Sequence, residues 1–310
     1  MTSLIALGRG DVDRRSFLRR AAYSAALSAT ALTLPGEASR RIATITDSSI
    51  VGMGEVDALR AVTDAFQRFD ERRGGGTGRT AVAEFLATDV ATLLRSRFAT
   101  SGVRAQAYSA AAELTYLAGF KAHDAGLHGL SQRYYLAARD LAEASGVPGH
   151  DGWIYRILAL EGADLGERSF SVALAEEAVR RARGRVDPAT EAVFTIALAR
   201  CYAETGRRSE AHAALRQAQH GMSGPAGETP PWCAWWCGDQ ATTHNQTAKT
   251  FRALAEWGDA EAHHMQATSY WEPDPLHRLP RGAVRRRTQK HQHLIGFEQL
   301  RTQGPDSLRC

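Results

Sequence analysis

Cysteine is scarce in this chain: Cys201, Cys233, Cys237 and Cys310 are the only four among 310 residues. So few in so long a chain do not make a disulfide framework. Cys201 falls on an apolar helical stripe and reads as core. Long apolar runs are missing as well. Nothing approaches the roughly 18 consecutive apolar residues of a membrane span, so no membrane partner is expected. Charge of one sign hardly accumulates, since 38 basic against 34 acidic residues leave a net +4. That balance does not call for a nucleic-acid partner, although a pI near 9.0 permits one. Strand-like runs of Val, Ile, Thr and aromatics are nearly absent. The chain also lacks a G-x-S-x-G elbow, a Walker loop, an H-E-x-x-H pair and a dinucleotide fingerprint. The triple glycine at 74–76 has no Lys-Ser/Thr after it to hold a phosphate. Neither enzyme activity nor a cofactor is expected.

What is present points to helices. Hydrophobic residues make up 44% of the chain, with a mean hydropathy of −0.33, which suits a soluble folded protein. Ala, Leu, Arg and Glu dominate, and these are the strong helix formers. The fold class read from this is all-α.

A fixed period then emerges. Three stretches, AGFKAHDAGLHGLSQRYYLAA, LALEGADLGERSFSVALAEEA and LARCYAETGRRSEAHAALRQA, each end one helical pattern and begin another at a glycine. Those glycines, Gly126, Gly166 and Gly206, are forty residues apart. A small residue follows each by five positions (Ser131, Ser171, Ala211), and an alanine by twelve (Ala138, Ala178, Ala218). Glycine ends the first helix of a hairpin because the left-handed conformation costs it nothing. Small residues early in the second helix let the pair approach, and large ones such as Tyr135 and Leu215 fill between layers. The period exceeds the tetratricopeptide value of about 34 residues, which implies longer helices or connections. We therefore expect a tetratricopeptide-like helical-hairpin solenoid. A fourth unit is placed at TAKTFRALAEWGDAEAHHM around Gly258, where the small residue Ala262 follows by four positions instead of five. The Gly/Pro-rich HGMSGPAGETPPW accounts for the longer gap before it.

Upstream, EVDALRAVTDAFQRFDERR carries Val56, Leu59, Val62 and Phe66 at helical spacing and stops at the triple glycine. TAVAEFLATDVATLLRSRFA reads as another amphipathic helix with a break near Thr88. At the start, Asp13-Arg14-Arg15-Ser16-Phe17-Leu18-Arg19 is close to a twin-arginine export consensus. An apolar run and a cleavage-like Gly36-Glu37-Ala38 follow it. The chain divides into a linker-like segment at 1–45, a helical repeat domain at 46–271 and a basic irregular tail at 272–310.

A family likeness rests on VGMGEVDALRAVTDAFQRFDERRGGG, on AAELTYLAGFKAHDAGLHGLSQRYYLAARDLAEASG, and later on PPW and HNQTAKTFRAL. Over roughly residues 11–272 the chain resembles the C-terminal tetratricopeptide-like sensor region of actinobacterial Xre-type helix-turn-helix transcriptional regulators. In that family DRRSFLRRAAYSAALSATALTLP looks like the connector from the DNA-binding domain, which implies a cytoplasmic protein; export by the twin-arginine route is the alternative. The family's helix-turn-helix would lie before residue 11, where only MTSLIALGRG stands, so direct sequence-specific DNA binding is not expected. The resemblance implies a regulatory, transcription-related module. Its partner would be a protein or peptide, a full-length regulator or another copy of the chain.

Some residues invite other chemistry. Cys233 and Cys237 with His244, His263 and His264 suggest zinc, but the spacing is not that of a zinc ribbon. Trp232, Trp235 and Trp236 interleave the cysteines and are explained equally well by packing, so no metal is expected. His123-Asp124 near a helix end reads as capping. Arg281, Arg285, Arg286, Arg287 and Lys290 can meet phosphate or simply be a solvated tail. A groove lined by first helices is the remaining binding surface, with Tyr108, Glu113, Tyr116, Lys121, Tyr155 and Arg156 as its candidate residues.

Overall fold

The computed structural model describes residues 2–11, 36–73, 78–223, 227–234 and 240–269. Among the described residues the chain is built of helices, with one two-residue parallel pairing between β1 (Ile50–Val51) and β2 (Arg97–Phe98). Four helical hairpins form the bulk: α5 (Ser101–Asp124) with α6 (His128–Ser145), α7 (His150–Asp164) with α8 (Arg168–Ala182), α9 (Pro188–Glu204) with α10 (Arg208–Met222), and α11 (Gln240–Ala253) with α12 (Trp257–Ser269). Adjacent hairpins pack against one another.

The helix starts are written in short polar residues. Thr100 caps α5, its hydroxyl accepting the Val103 N–H at 3.1 Å. Asp187 caps α9, accepting from Ala189 and Thr190 at 3.0 and 3.1 Å, with Pro188 at the first helical position. The hairpin turns repeat one hydrogen bond. The residue after the left-handed position donates to the carbonyl five residues back: Leu127 to Ala122, Glu167 to Gly162, Arg207 to Tyr202, at 2.8–2.9 Å. This is the Schellman closure, and Gly126, Gly166 and Gly206 supply its positive φ.

The fourth turn corrects the expectation. Gly258 lies inside the first turn of α12, and the left-handed residue is Ala255, at φ 58°. Glu256 then donates to Phe251 at 2.9 Å, matching the other three turns. Counted from Ala255, the small residues fall at the same steps as elsewhere, with Ala260 at 0% and Ala267 at 4% exposure. A third small position also recurs seven residues before each turn, at Gly119, Ala159, Ala199 and Ala248, all buried. Ala255 carries a Cβ where glycine would not, a strain of about 1–2 kcal/mol. Ala255→Gly should accordingly raise the unfolding free energy by about 1 kcal/mol in urea denaturation. An unchanged or lower midpoint would show that packing has absorbed the strain.

At Gly119 close approach is what matters, since a Cβ there would stand 2.6 Å from the Tyr135 ring. That ring is 2% exposed and cannot withdraw. Gly119→Ala should therefore cost about 1–3 kcal/mol by overpacking, read from a thermal or urea melt.

The helices before the hairpins close one end. α3 (Met53–Arg73) buries Val56, Leu59 and Val62 and packs Phe66 against Phe85 at 6.2 Å. α4 runs from Arg79–Phe85 through a π-helical turn at Leu86–Val90 into Ala91–Arg95. The predicted break near Thr88 is thus a π-bulge, with the Thr88 hydroxyl donating to the Glu84 carbonyl at 2.8 Å. The N-terminal segment is not all linker. α1 (Thr2–Asp11) and α2 (Gly36–Ala43) place Leu4 and Ile42, 3% and 1% exposed, in the same core as the hairpins. No described helix is long and apolar enough to cross a membrane. The twin arginines, the basic cluster at 281–290, Cys237 and Cys310 lie outside the described residues.

Candidate functional site

α5 carries Gln106, Ser109 and Glu113 on one face, at spacings of three and four residues. α3 lies across that face and brings Arg60, whose guanidinium donates to Gln106 Oε1 at 2.8 Å and to Glu113 Oε1 at 3.3 Å. Ser109 Oγ sits 3.5 Å from Glu113 Oε1 and 3.0 Å from His150 Nδ1, where α7 begins. The His150 ring stacks on Trp232 at 5.5 Å and 8°. Trp232 arrives on a proline-rich strap that turns once in a 3-10 helix, Pro231–Cys233. It also packs on Trp153 at 5.9 Å and Phe194 at 6.3 Å. Gly149 makes this possible: a Cβ there would meet Val186 at 2.6 Å and the Trp232 ring at 3.2 Å.

Of these groups Arg60, Gln106, Ser109 and Trp232 line a cavity of about 540 Å³. The Val147–Pro148 turn, the Gly184–Asp187 connection and Glu228, Pro230, Pro231 and Trp232 form its walls. The site mixes cations with carboxylates and an apolar proline–tryptophan wall.

Burial sets the electrostatics. It raises the Glu113 carboxyl to about 7, against the attraction of Arg60. It lowers His150 to about 3, with Arg60 adding repulsion, so the imidazole is neutral at ordinary pH. Several buried polar atoms have no hydrogen-bond partner among the described residues: His150 Nε2, Trp153 Nε1, Trp232 Nε1 and Asp187 Oδ2. Such atoms are costly unless something satisfies them. The hydroxyl of Ser109 stands between Glu113 and His150, whereas a nucleophilic triad needs the imidazole between the other two.

No family model, curated protein or solved structure matches this chain.

The six groove residues are dispersed by the structure. Glu113 alone joins the network beside the cavity. Tyr108 is half-buried under the Arg104 guanidinium, 4.4 Å from its ring. Tyr155 lies under Arg181 at 4.4 Å and donates its hydroxyl to Glu143 at 3.3 Å. Tyr116 stacks on Tyr135 at 5.8 Å and is 8% exposed. Lys121 is fully buried. Arg156, 3% exposed, covers the Trp153 ring at 4.5 Å and donates to the Val193 carbonyl at 3.3 Å. Tyr116, Lys121 and Arg156 are therefore packing residues that a partner on the present surface does not reach. The first helices α7 and α9 are covered both by their own partners and by the hairpin that follows, so less of each faces solvent than its repeat position suggests.

The sequence pattern singles out none of Arg60, Gln106, Ser109, His150 and Asp187, and Trp232 enters it only through the PPW likeness and its place beside the cysteines. The one available signal was the Pro230-Pro231-Trp232 run, an aromatic delivered by a rigid segment. Cys233 is buried, with Sγ donating to the Pro230 carbonyl at 3.5 Å. His244 and His263 approach at 2.9 Å between their Nδ1 atoms. Among the described residues Cys233 does not join them in a three-ligand group.

Proposed function

We propose that this chain is a regulatory interaction module of tetratricopeptide type, related to transcription, which binds an extended peptide or a protein segment in the Arg60–Asp187–Trp232 cavity. The observation that carries this reading is the cavity's mixed lining. An extended peptide offers N–H donors and carbonyl acceptors alternately, and this site holds both complements. Arg60 and Arg185 meet acceptors, Asp187 and Glu228 meet donors, and Pro230, Pro231 and Trp232 supply an apolar wall. The four hairpins, with small residues at three recurring positions, support the tetratricopeptide assignment. Binding without catalysis fits the order of Glu113, Ser109 and His150. The module would act on transcription through the protein it captures, a full-length regulator or a second copy of itself.

The test is selection from a random peptide display library on the full chain. A shared motif should be enriched, and Arg60→Met together with Asp187→Asn should weaken its binding at least tenfold. Selection without a common motif, or binding indifferent to both substitutions, would sink the proposal.

We place the protein in the cytoplasm with its amino terminus retained. Cleavage near Ala38 would strip away α1, whose Leu4 is 3% exposed in the core, and cut α2 ahead of Ile42. Terminal sequencing of protein from its native cell should show the segment before Ala38 retained; a start near residue 39 would favour export.

A further inference from the structure

The edge where the first hairpin meets the second gathers three side chains of a different kind. His123 ends α5, His128 begins α6 across the Gly126 turn, and Glu161 comes from α7 of the next hairpin. One ligand atom from each lies within 4.8 Å of the others. Among the described residues this is the one such group of three His, Cys, Asp or Glu side chains.

The spacing has a chemical meaning. Four ligands around a zinc-like ion at about 2.0–2.1 Å sit roughly 3.3 Å apart along each tetrahedral edge. His123 Nδ1 and Glu161 Oε1 are 3.3 Å apart. Two ligands thus already have the separation one ion would impose. His128 is exposed, its ring 5.2 Å from that of His123, and needs only side-chain rotation to complete a third bond. Burial is graded as in a built site: Glu161 is 7% exposed at its side chain, His123 17%, and His128 faces solvent. Asp124 and Asp164 add negative potential around His123. Two imidazoles and a carboxylate are a borderline-soft donor set that suits zinc or its first-row neighbours better than calcium or magnesium.

We propose that His123, His128 and Glu161 form a binding site for one divalent transition-metal ion of the zinc class, with solvent in the fourth position, joining the first hairpin to the second. The ion replaces the direct His123–Glu161 hydrogen bond with two metal bonds and adds a third to His128, so that one centre joins the two hairpins. The site is separate from the peptide cavity and does not depend on that reading.

The experiment uses the full chain, stripped with chelator and titrated with Zn²⁺ by calorimetry and with Co²⁺ by visible absorption. One equivalent should bind and give the d–d bands of four-coordinate cobalt, and zinc should raise the melting temperature. His128→Ala, which removes an exposed side chain and leaves the fold intact by circular dichroism, should weaken that equivalent at least tenfold and abolish the thermal shift. Glu161→Gln should do the same. His263→Ala, at the other histidine pair, should change neither. Metal binding equal to wild type in His128→Ala and Glu161→Gln, loss of the equivalent in His263→Ala, or no binding by the wild-type chain would each overturn the proposal.

Discussion

Trp232→Ala should lower the unfolding free energy by about 3–5 kcal/mol, the range for deleting a buried aromatic. The ring is 4% exposed and lies against His150, Trp153 and Phe194 from two different hairpins. Among the described residues the segment that carries it forms one 3-10 turn, and this ring is its largest buried side chain. Truncation therefore leaves a cavity and releases a wall of the proposed binding site. Trp232→Phe should cost much less, because it keeps most of the stacking area and removes an indole N–H that has no partner among the described residues. Urea denaturation decides the matter. A loss below about 1 kcal/mol for the alanine variant would mean that the strap is not held by this ring.

Glu113→Gln should convert a nearly pH-independent contribution to stability into a steep one between pH 4.5 and 6.5. Glu113 rises from its ordinary 4.5 to about 7 on folding, so within this window the folded chain holds a proton that the unfolded chain has released. Its contribution is full below pH 4.5 and is lost as pH rises toward 7. His150 falls from its ordinary 6.5 to about 3, so in the same window the unfolded chain holds the extra proton. Its contribution is full above pH 6.5 and is lost as pH falls toward 3. One proton of each sign cancels in the slope. Removing the carboxyl leaves His150 unopposed, and stability should then fall, as pH is lowered, by about 1.4 kcal/mol per pH unit relative to wild type, or about 3 kcal/mol from pH 6.5 down to 4.5. Denaturation midpoints at three or four pH values give the comparison. Parallel wild-type and variant profiles would show that Glu113 is ionised beside Arg60 throughout. Ser109 touches both groups, so the two titrations share one hydroxyl, and its orientation should follow whichever neighbour is charged.

The repeat was legible where the turn chemistry was local. Gly126, Gly166 and Gly206 announced their turns because glycine is the residue that the left-handed conformation selects. The fourth turn was misread by three residues because Ala255 takes that conformation without being glycine. The small residues that mark the repeat there, Ala260 and Ala267, are buried, which their spacing from Gly258 does not reveal. Leu4 and Ile42 were assigned to a linker for a related reason: short helices with weak patterns become core only when something covers them.

The candidate site was almost invisible from the chain alone. Its members come from α3, α5, the start of α7, the connection before α9 and the strap after α10, so no local spacing relates them. Three of the six expected groove residues, Tyr116, Lys121 and Arg156, are buried. Lys121 and Arg156 look like surface residues by type, and their repeat position puts them on first helices, yet both are buried, Arg156 against the Val193 carbonyl of the following hairpin.

By itself, then, the amino-acid order determined where helices begin, bend and end, from Thr100 and Asp187 at the caps to Thr88 at the π-bulge. Those choices rest on hydrogen bonds that reach no further than about five residues. Only the tertiary structure decided which faces meet water, that His150 is neutral and Glu113 titrates near 7, and that His123, His128 and Glu161 converge. Burial and charge are properties of what lies across the gap, and helices distant along the chain supply it.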